Sequence, residues 1–317
     1  MATETDLETG PGSERLGTGA TGRARRFVND HALEFMLGPA LLVILAIFIY
    51  PVLFLFYQSF FLTIPGVPER FVGIRNYVTM FQSAEFWRYF QHTVVYSTGS
   101  LVITVTSGVV VALGINKVQR EWLRNTYSTV LMLAWAIPIA VVSLIWRQIL
   151  LGTEFGALNM LLMQLGLVSS PVAYLSNGDF AMAIVILVDA WARMPFAMVV
   201  FLAGLQSIPQ HLYDAARVDG ATTFQTFRAV TLPRLRPYFA IVGLITWMFA
   251  FRAFAIVFPM TNGGPGQRTT VLSIHIYRTG MVNFNFGYAA AVAVFLVAVT
   301  VVVAAGYVTQ IIGSIDQ

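Results

Sequence analysis

SIPQHLYDAARVDGATTFQTFRAVTLP, residues 207–233, decides the fold, because it places helix start and stop signals between two long apolar runs. Ser207 with Gln210 has the spacing of a capping box, in which two side chains satisfy free backbone N–H groups at a helix start. Pro209 lies in the first turn, where no backbone donor is missed. Gly220 can adopt the left-handed conformation that often ends a helix. These signals predict a short helix that stops at Gly220.

The second half of this segment repeats the pattern. Thr222 with Gln225 has capping-box spacing again, and Leu232-Pro233 is typical of a helix end, since the residue before proline disfavours helical backbone. We therefore predict two short helices bent at Gly220, on the cytoplasmic side of a membrane. The alternative interpretation is an ordinary capped loop.

Composition predicts that lipid covers much of the chain. Hydrophobic residues make up 57% of it and charged residues 11%, whereas a soluble domain carries about a quarter charged residues. A transmembrane helix needs about 20 apolar residues. The sequence predicts an all-α integral membrane protein with a transmembrane permease domain at 31–317 and about six transmembrane helices. The six apolar runs are about Leu37–Phe61, Val94–Ile115, Thr126–Ile145, Phe180–Leu205, Tyr238–Phe258 and Phe286–Ile312.

Three features complete the predicted topology. Residues 1–30 have little to bury and are expected to form a disordered cytoplasmic tail. Leu158–Val168 is about half as long as a span requires, and we expect an interfacial helix there. With the tail inside, the inner segments hold eleven Lys and Arg residues and the outer segments six. The excess of positive charge predicts that both termini are cytoplasmic.

The 207–233 segment resembles the signature of ABC-importer permeases, which reads Glu-Ala-Ala, three residues, Gly, nine residues, then Ile-x-Leu-Pro. Two departures are conservative, since Asp214 replaces Glu and Val230 replaces Ile. The resemblance implies a type I ABC-importer permease fold, in which the cytoplasmic coupling loop, here 207–236, seats in a groove of an ATP-hydrolysing subunit. The residues that would make this coupling are Asp214, Ala215, Ala216, Gly220, Ala221, Leu232 and Pro233.

A second resemblance narrows the class. Thr261-Asn-Gly-Gly-Pro265 followed by Thr270-Val-Leu is similar to the outer-loop signature of sugar permeases of the maltose and glycerol-phosphate type. The resemblance extends from about Pro39 to the C-terminus and implies a location in the inner membrane of a bacterium or archaeon. It also implies four kinds of partner: a second homologous permease, two ATP-binding subunits that hold ATP and Mg, an extracytoplasmic sugar-binding protein, and the sugar itself.

Three ionisable residues lie within the predicted spans: Asp189, Arg193 and Arg252. Each costs about 2.5–3.5 kcal/mol at a helix centre on insertion scales, so all three should face protein or water. Asp189 and Arg193 are four residues apart and could pair on one helix face, while an Asp189–Arg252 pair is the rival arrangement. Arg252 with Trp247 and Phe251 could instead line the sugar path. A structural ion pair with ordinary packing aromatics is the favoured interpretation.

Several function classes are excluded or disfavoured by missing motifs. The sequence has no phosphate-binding Gly-x-x-x-x-Gly-Lys loop, so we expect no nucleotide cofactor on this chain. Cysteine is absent and the four histidines are scattered, which disfavours a metal site. No nucleic-acid partner is expected. The chain is therefore predicted to be a transport subunit, not an enzyme. The alternatives are a related permease for a non-sugar solute, such as glycerol phosphate or an amino acid, and an ion-coupled secondary transporter.

Overall fold

The computed structural model of the chain describes residues 32–178 and 180–315, most of which are helical. The predicted tail at 1–30 lies outside the described residues. The described residues divide into two units, with the boundary between Tyr57 and Gln58. In the first unit, α1 (Ala32–Ile44), a π turn (Leu45–Ile49) and α2 (Tyr50–Gln58) follow one another directly and form the first apolar helix.

The second unit holds the other elements. A short antiparallel pair, β1 (Phe61–Leu62) and β2 (Arg70–Phe71), precedes α3. The helices are α3 (Arg75–Gln82), α4 (Ala84–Asn116), α5 (Glu121–Ala136), α6 (Ile139–Ile149), α7 (Ala157–Gln164), α8 (Ala181–Gln206), α9 (Gln210–Val218), α10 (Thr223–Thr226), α11 (Leu232–Phe251), α12 (Phe254–Thr261), α13 (Leu272–Tyr277) and α14 (Phe286–Ile315), with π turns at Phe227–Thr231 and Arg278–Val282.

Among the described residues, four helices are long and apolar enough to cross a membrane, and two bent helix pairs raise the number to as many as six. The four helices lie at Leu37–Gln58, Ala84–Asn116, Ala181–Gln206 and Phe286–Thr309. Six apolar runs were predicted, and two of them are not straight spans. The short helix α7 forms within the segment predicted to be interfacial.

The predicted span at 126–145 is wrong as a single helix. α5 ends at Ala136, and α6 leaves it at 91°. Ile137 and Pro138 between them have extended backbone, with ψ of 127° and 130°. Proline causes this break, because its ring disfavours helical backbone at the preceding residue and it has no N–H for the helical ladder.

The predicted span at 238–258 is likewise interrupted. The helix that ends at Phe251 and the following α12 differ in direction by 46°. Arg252 and Ala253, which join them, have ψ of 33° and 48° and so leave the helical region. The bend therefore places Arg252 at a helix terminus, not in the middle of a straight span.

α4 and α8 form the centre of the second unit and run parallel. Ser100 contacts Asp189, and Gly108 lies against Ala197, so the contacts keep a constant register along both helices. A Cβ at Gly108 would lie 2.6 Å from the Cβ of Ala197, which requires glycine at this crossing. Both helices therefore run in the same direction, towards the end at which α9 follows α8.

Candidate functional site

The 207–222 segment lies at the end of α8 and begins differently from the prediction. Ser207 belongs to the last turn of α8, where its Oγ donates to Gly204 O at 2.8 Å. α9 starts at Gln210 with Pro209 before it and no side-chain cap. The predicted Ser207–Gln210 capping box is wrong, because the serine hydroxyl is already used by the preceding helix.

The reversal at Gly220 is confirmed. Its φ is +72°, and the hydrogen bonds Gly220 N–H to Arg217 O (3.0 Å) and Ala221 N–H to Ala216 O (2.9 Å) form a Schellman motif. A Cβ built at Gly220 would meet no atom within 4 Å, so dihedral preference alone requires glycine. Sequence reasoning found this turn because all of its determinants are local.

The Thr222–Gln225 capping box is also confirmed. Gln225 N–H donates to Thr222 Oγ1 at 3.3 Å, and Thr222 N–H donates to Gln225 Oε1 at 2.8 Å. The predicted helix end at Leu232-Pro233 is wrong, because the helix runs on through a π turn into α11. Leu232 N–H reaches back five residues to Phe227 O. This wider turn gives room for the Pro233 ring, which would otherwise contact the carbonyl four residues earlier.

One face of α9 anchors the segment, and the other protrudes. Leu212 and Tyr213 pack on the apolar cluster of α4, α8 and α11, and Tyr213 Oη lies 3.2 Å from Thr231 Oγ1. Val218 is 88% exposed and Phe224 70% exposed, one on each side of the glycine turn. These two apolar side chains were missed by sequence reasoning, although their place beside the turn could have identified them.

The remaining predicted coupling residues lie on the same protruding segment. Asp214, Ala215 and Gly220 are exposed, as are Leu232 and Pro233 at the start of α11, while Ala216 and Ala221 are half-buried. Asp214 forms an exposed ion pair with Arg217, with 3.3 Å between Oδ1 and Nη1. Such a pair in water contributes little to stability, which leaves the segment held by its buried face and its turn.

The intramembrane charges pair locally. Arg193 Nε lies 2.9 Å from both Oδ1 and Oδ2 of Asp189, and Ser100 Oγ donates to Asp189 Oδ2. Asp189 is completely buried. Arg193 also lies over the ring of Phe249, with 5.2 Å between Cζ and the ring centroid. The pair has helical i, i+4 spacing, which makes it the closest available partner on the same face.

Arg252 is not part of this pair. Its Nε donates to Met248 O at 3.4 Å, its side chain is exposed, and it forms no ion pair with any residue that the structure describes. The rival Asp189–Arg252 arrangement is therefore wrong in this structure. Arg252 lies at the end of α11, where the helix bends, and its guanidinium is held by a carbonyl of its own helix.

The aromatic residues predicted to accompany Arg252 lie elsewhere. Phe251 is buried, and Trp247 stacks on it with 4.5 Å between ring centroids. Both belong to the apolar cluster shared with α4 and α14. Phe249, which is 52% exposed, is the aromatic residue one turn from Arg252. The exposed face of α11 therefore presents Phe249 and Arg252, with Arg193 beside them.

Comparison with known proteins agrees with this architecture. Residues 104–310 match the family model of binding-protein-dependent transport system inner membrane components. The trehalose/maltose transport system permease protein MalF of Thermococcus litoralis is 33% identical over 82% of this chain and 88% of its own. The sulfoquinovosyl glycerol transport system permease protein SmoG of Agrobacterium fabrum is 33% identical over 86% of this chain and 87% of its own.

A solved structure shows the same fold over nearly the whole chain. It is the bacterial alginate ABC transporter in complex with an alginate pentasaccharide-bound periplasmic protein, and the match has a TM-score of 0.76 at 27% identity, covering 90% of this chain and 96% of that chain. The helices described above thus have the arrangement of a type I ABC-importer permease. The chain belongs to the family of binding-protein-dependent transport system inner membrane components.

Proposed function

We propose that this chain is the permease subunit of an ATP-driven, binding-protein-dependent sugar importer and forms half of its translocation pathway. A second homologous permease would form the other half. Two ATP-binding subunits would hold ATP and Mg and supply the energy, and an extracytoplasmic protein would deliver the sugar. The relatives described above take up maltose or trehalose, a sulfonated sugar glycoside and alginate according to their names, which supports a carbohydrate as the solute.

The observation that carries the proposal is the protruding turn after α8. Leu212 and Tyr213 pack against the apolar cluster that α4, α8 and α11 form together, so this face can transmit displacement to those helices. Its free face presents Val218 and Phe224 as two exposed apolar contacts around Gly220. A rigid turn anchored on the helices can couple closure of an ATPase to movement of the spans. We therefore assign ATPase docking to residues 209–226, with Val218 and Phe224 as its apolar anchors.

The exposed face of α11 is the proposed solute path. A charged guanidinium is costly in lipid, so Arg252 and the partly exposed Arg193 should face water or the second permease. Planar guanidinium donors suit hydroxyl oxygens, and the Phe249 ring offers an apolar face. Phe249 takes the place of Trp247 and Phe251 in the proposed solute path, because Trp247 and Phe251 stack on each other and pack in the apolar cluster with α4 and α14.

Co-purification followed by reconstitution tests this function. The chain should isolate with a second permease and an ATP-binding protein, and the proteoliposomes should import the sugar that raises the melting temperature of the associated binding protein. Val218→Lys should abolish ATPase association without lowering membrane insertion, because the side chain is exposed. Glu121→Lys is the control, because this side chain is also exposed, at 79%, and lies outside the 209–226 segment. Uptake that continues without ATP and follows an ion gradient would show a secondary transporter instead.

The proposed orientation places both termini and the 209–226 turn in the cytoplasm. The chain has no cysteine, so a single introduced cysteine can be labelled without background. Gln225→Cys should react only with membrane-permeant reagents in intact cells, and Gly266→Cys should react with impermeant ones. Impermeant labelling of Gln225→Cys would reverse the topology and remove the coupling assignment.

A permease of the same class for an acidic solute is the second candidate. It is favoured by Arg252, an exposed cation on the span face with no carboxylate partner among the described residues. A binding protein that prefers uronates or sulfonated sugars to neutral disaccharides would select this candidate.

A further inference from the structure

A cavity of about 450 Å³ lies at the end of the helices opposite to the coupling turn. Glu85 and Tyr89, in the first turns of α4, form one wall, and the 262–267 loop and α13 form the others. Since α4 and α8 run parallel, the start of α4 is remote from the turn that follows α8. The volume is within the range of about 300–1,000 Å³ that small-ligand pockets occupy.

The lining offers both donors and acceptors of hydrogen bonds. The Tyr89 hydroxyl contacts Glu85 Oε1 and lies 2.7 Å from Gln267 Oε1. Arg278 Nη2 donates to Asn262 O at 2.5 Å, which leaves its other donors for a ligand. A carboxylate, a guanidinium and three carboxamides line the cavity. These groups suit sugar hydroxyls, each of which can donate and accept a hydrogen bond.

One buried polar atom of the cavity wall has no partner. His275 Nε2 is shielded from solvent and forms no hydrogen bond with any described residue. The ring is held against Tyr89, with 5.0 Å between centroids, and against the edge of Tyr288 at 6.0 Å. An unsatisfied polar atom in a rigid wall is unfavourable unless a ligand or water completes it.

The loop that closes the cavity is held in a strained shape. Asn262 and Gln267 both have positive φ, 49° and 66°, although neither is glycine. The buried Thr269 and Thr270 fix the loop from beneath, through hydrogen bonds to Gly264 O (2.7 Å) and Gly263 O (3.0 Å). Strain that is maintained by a buried network is typical of ligand-binding loops.

Aromatic rings lead from the cavity towards Arg252. Phe258 and Tyr277 line the cavity and lie 5.1 Å apart. Phe254, one turn before Phe258 on α12, lies 4.8 Å from Phe258 and 5.1 Å from Tyr277. Phe254 and Phe258 are four residues apart on α12, so the cluster covers about 6 Å of the helix between the bend beside Arg252 and the cavity. Flat rings can stack on the apolar face of a sugar ring.

We propose that this cavity is a second, outer sugar subsite, which holds a sugar ring before it moves along α12 to the span face at Arg252. The proposal rests on the proposed importer function and adds a binding site to it. Glu85, Gln267, His275 and Arg278 bind the hydroxyl groups, and Tyr277 with Phe258 supplies the stacking face.

Single cysteines in the complete complex test the subsite. Val282→Cys places a thiol in the wall of the cavity at a side chain with no assigned part in sugar binding, and Met281→Cys places one on the neighbouring exposed residue, which does not line the cavity. The complex is reconstituted without the binding protein, and the labelling rate by an impermeant thiol reagent is measured with maltose, trehalose or glucuronate. At least one sugar should slow labelling of Val282→Cys and leave Met281→Cys unchanged.

A second measurement separates the subsite from a structural role. Tyr277→Leu and His275→Gln should each weaken this protection by about two- to tenfold, the effect of one lost contact, while Met281→Ala should not. If the complex imports a sugar but none of the three protects Val282→Cys, the subsite is refuted and the importer function stands. Protection by the binding protein alone would also refute it, since the cavity would then be a partner contact. A complex that imports no sugar refutes the proposed function itself.

Discussion

Substitution of Gly220 by valine should uncouple the permease from its ATPase while leaving the membrane domain intact. Gly220 has φ of +72°, and a Cβ at this position meets no atom within 4 Å. The cost of valine is therefore conformational and amounts to about 1–2 kcal/mol in the left-handed region. That is a factor of about 5–30 in the population of the native turn. The buried face of α9 holds independently, so the spans should still insert.

Three measurements read out this change: the amount of permease in the membrane, co-purification of the ATP-binding subunit, and sugar uptake. Gly220→Val should leave the amount of permease in the membrane near normal and lower both ATPase co-purification and sugar uptake. Gly114→Val is the matched control, because Gly114 also has open space but ordinary helical φ. Gly220→Asn should retain most activity, since asparagine tolerates positive φ better than β-branched residues. Normal uptake and normal ATPase association with Gly220→Val would show that this turn is not the coupling element.

Three other expectations concern charge. Asp189→Asn removes the buried partner of the partly exposed Arg193 and should destabilise the protein, by less than the roughly 3–5 kcal/mol of a fully buried pair. Lost expression would show this, and a normal thermal transition would contradict it. Arg252→Met should lower transport but leave the melting temperature unchanged, because the side chain is exposed and forms no ion pair among the described residues. A lower melting temperature with normal uptake would indicate a structural role instead. Burial lowers the pKa of His275 below 6.5, Arg278 adds to this, and Glu85 opposes it. The unfolded chain then binds the proton more readily, so stability should fall as pH drops below 6.5. His275→Gln should flatten the dependence of the melting temperature on pH. An unchanged dependence would show that His275 is not the group responsible.

Local sequence was sufficient to predict two turns whose determinants all lie within a few residues of one another. The reversal at Gly220 needs only a residue that tolerates positive φ, and the Thr222–Gln225 box needs only two side chains three residues apart. Both were predicted and both are confirmed. The same local logic failed at Ser207, because two elements compete for one hydroxyl and the chain order does not say which one takes it.

Tertiary contacts determined the remaining features. The sequence offered both Arg193 and Arg252 as partners for Asp189, and the packed structure shows that Arg193 forms the pair while Arg252 stays exposed. Phe251 and Phe249 are both apolar and two residues apart, yet packing against α4 and α14 buries one and leaves the other on the exposed face.

The outer cavity shows most clearly which contacts the sequence alone does not predict. One wall comes from α4, and the others come from the 262–267 loop and α13, far along the chain. Tyr89 and Gln267, which contact each other in the cavity wall, are 178 positions apart in the sequence. Hydrophobic periodicity predicts that each helix exists, because burial and backbone hydrogen bonding act along the segment. It does not predict which polar side chains meet when the helices pack. The sequence by itself therefore determined the membrane fold, the family resemblance and the reversal at Gly220, whereas the ion pair, the exposed face of α11 and the cavity required the packed structure.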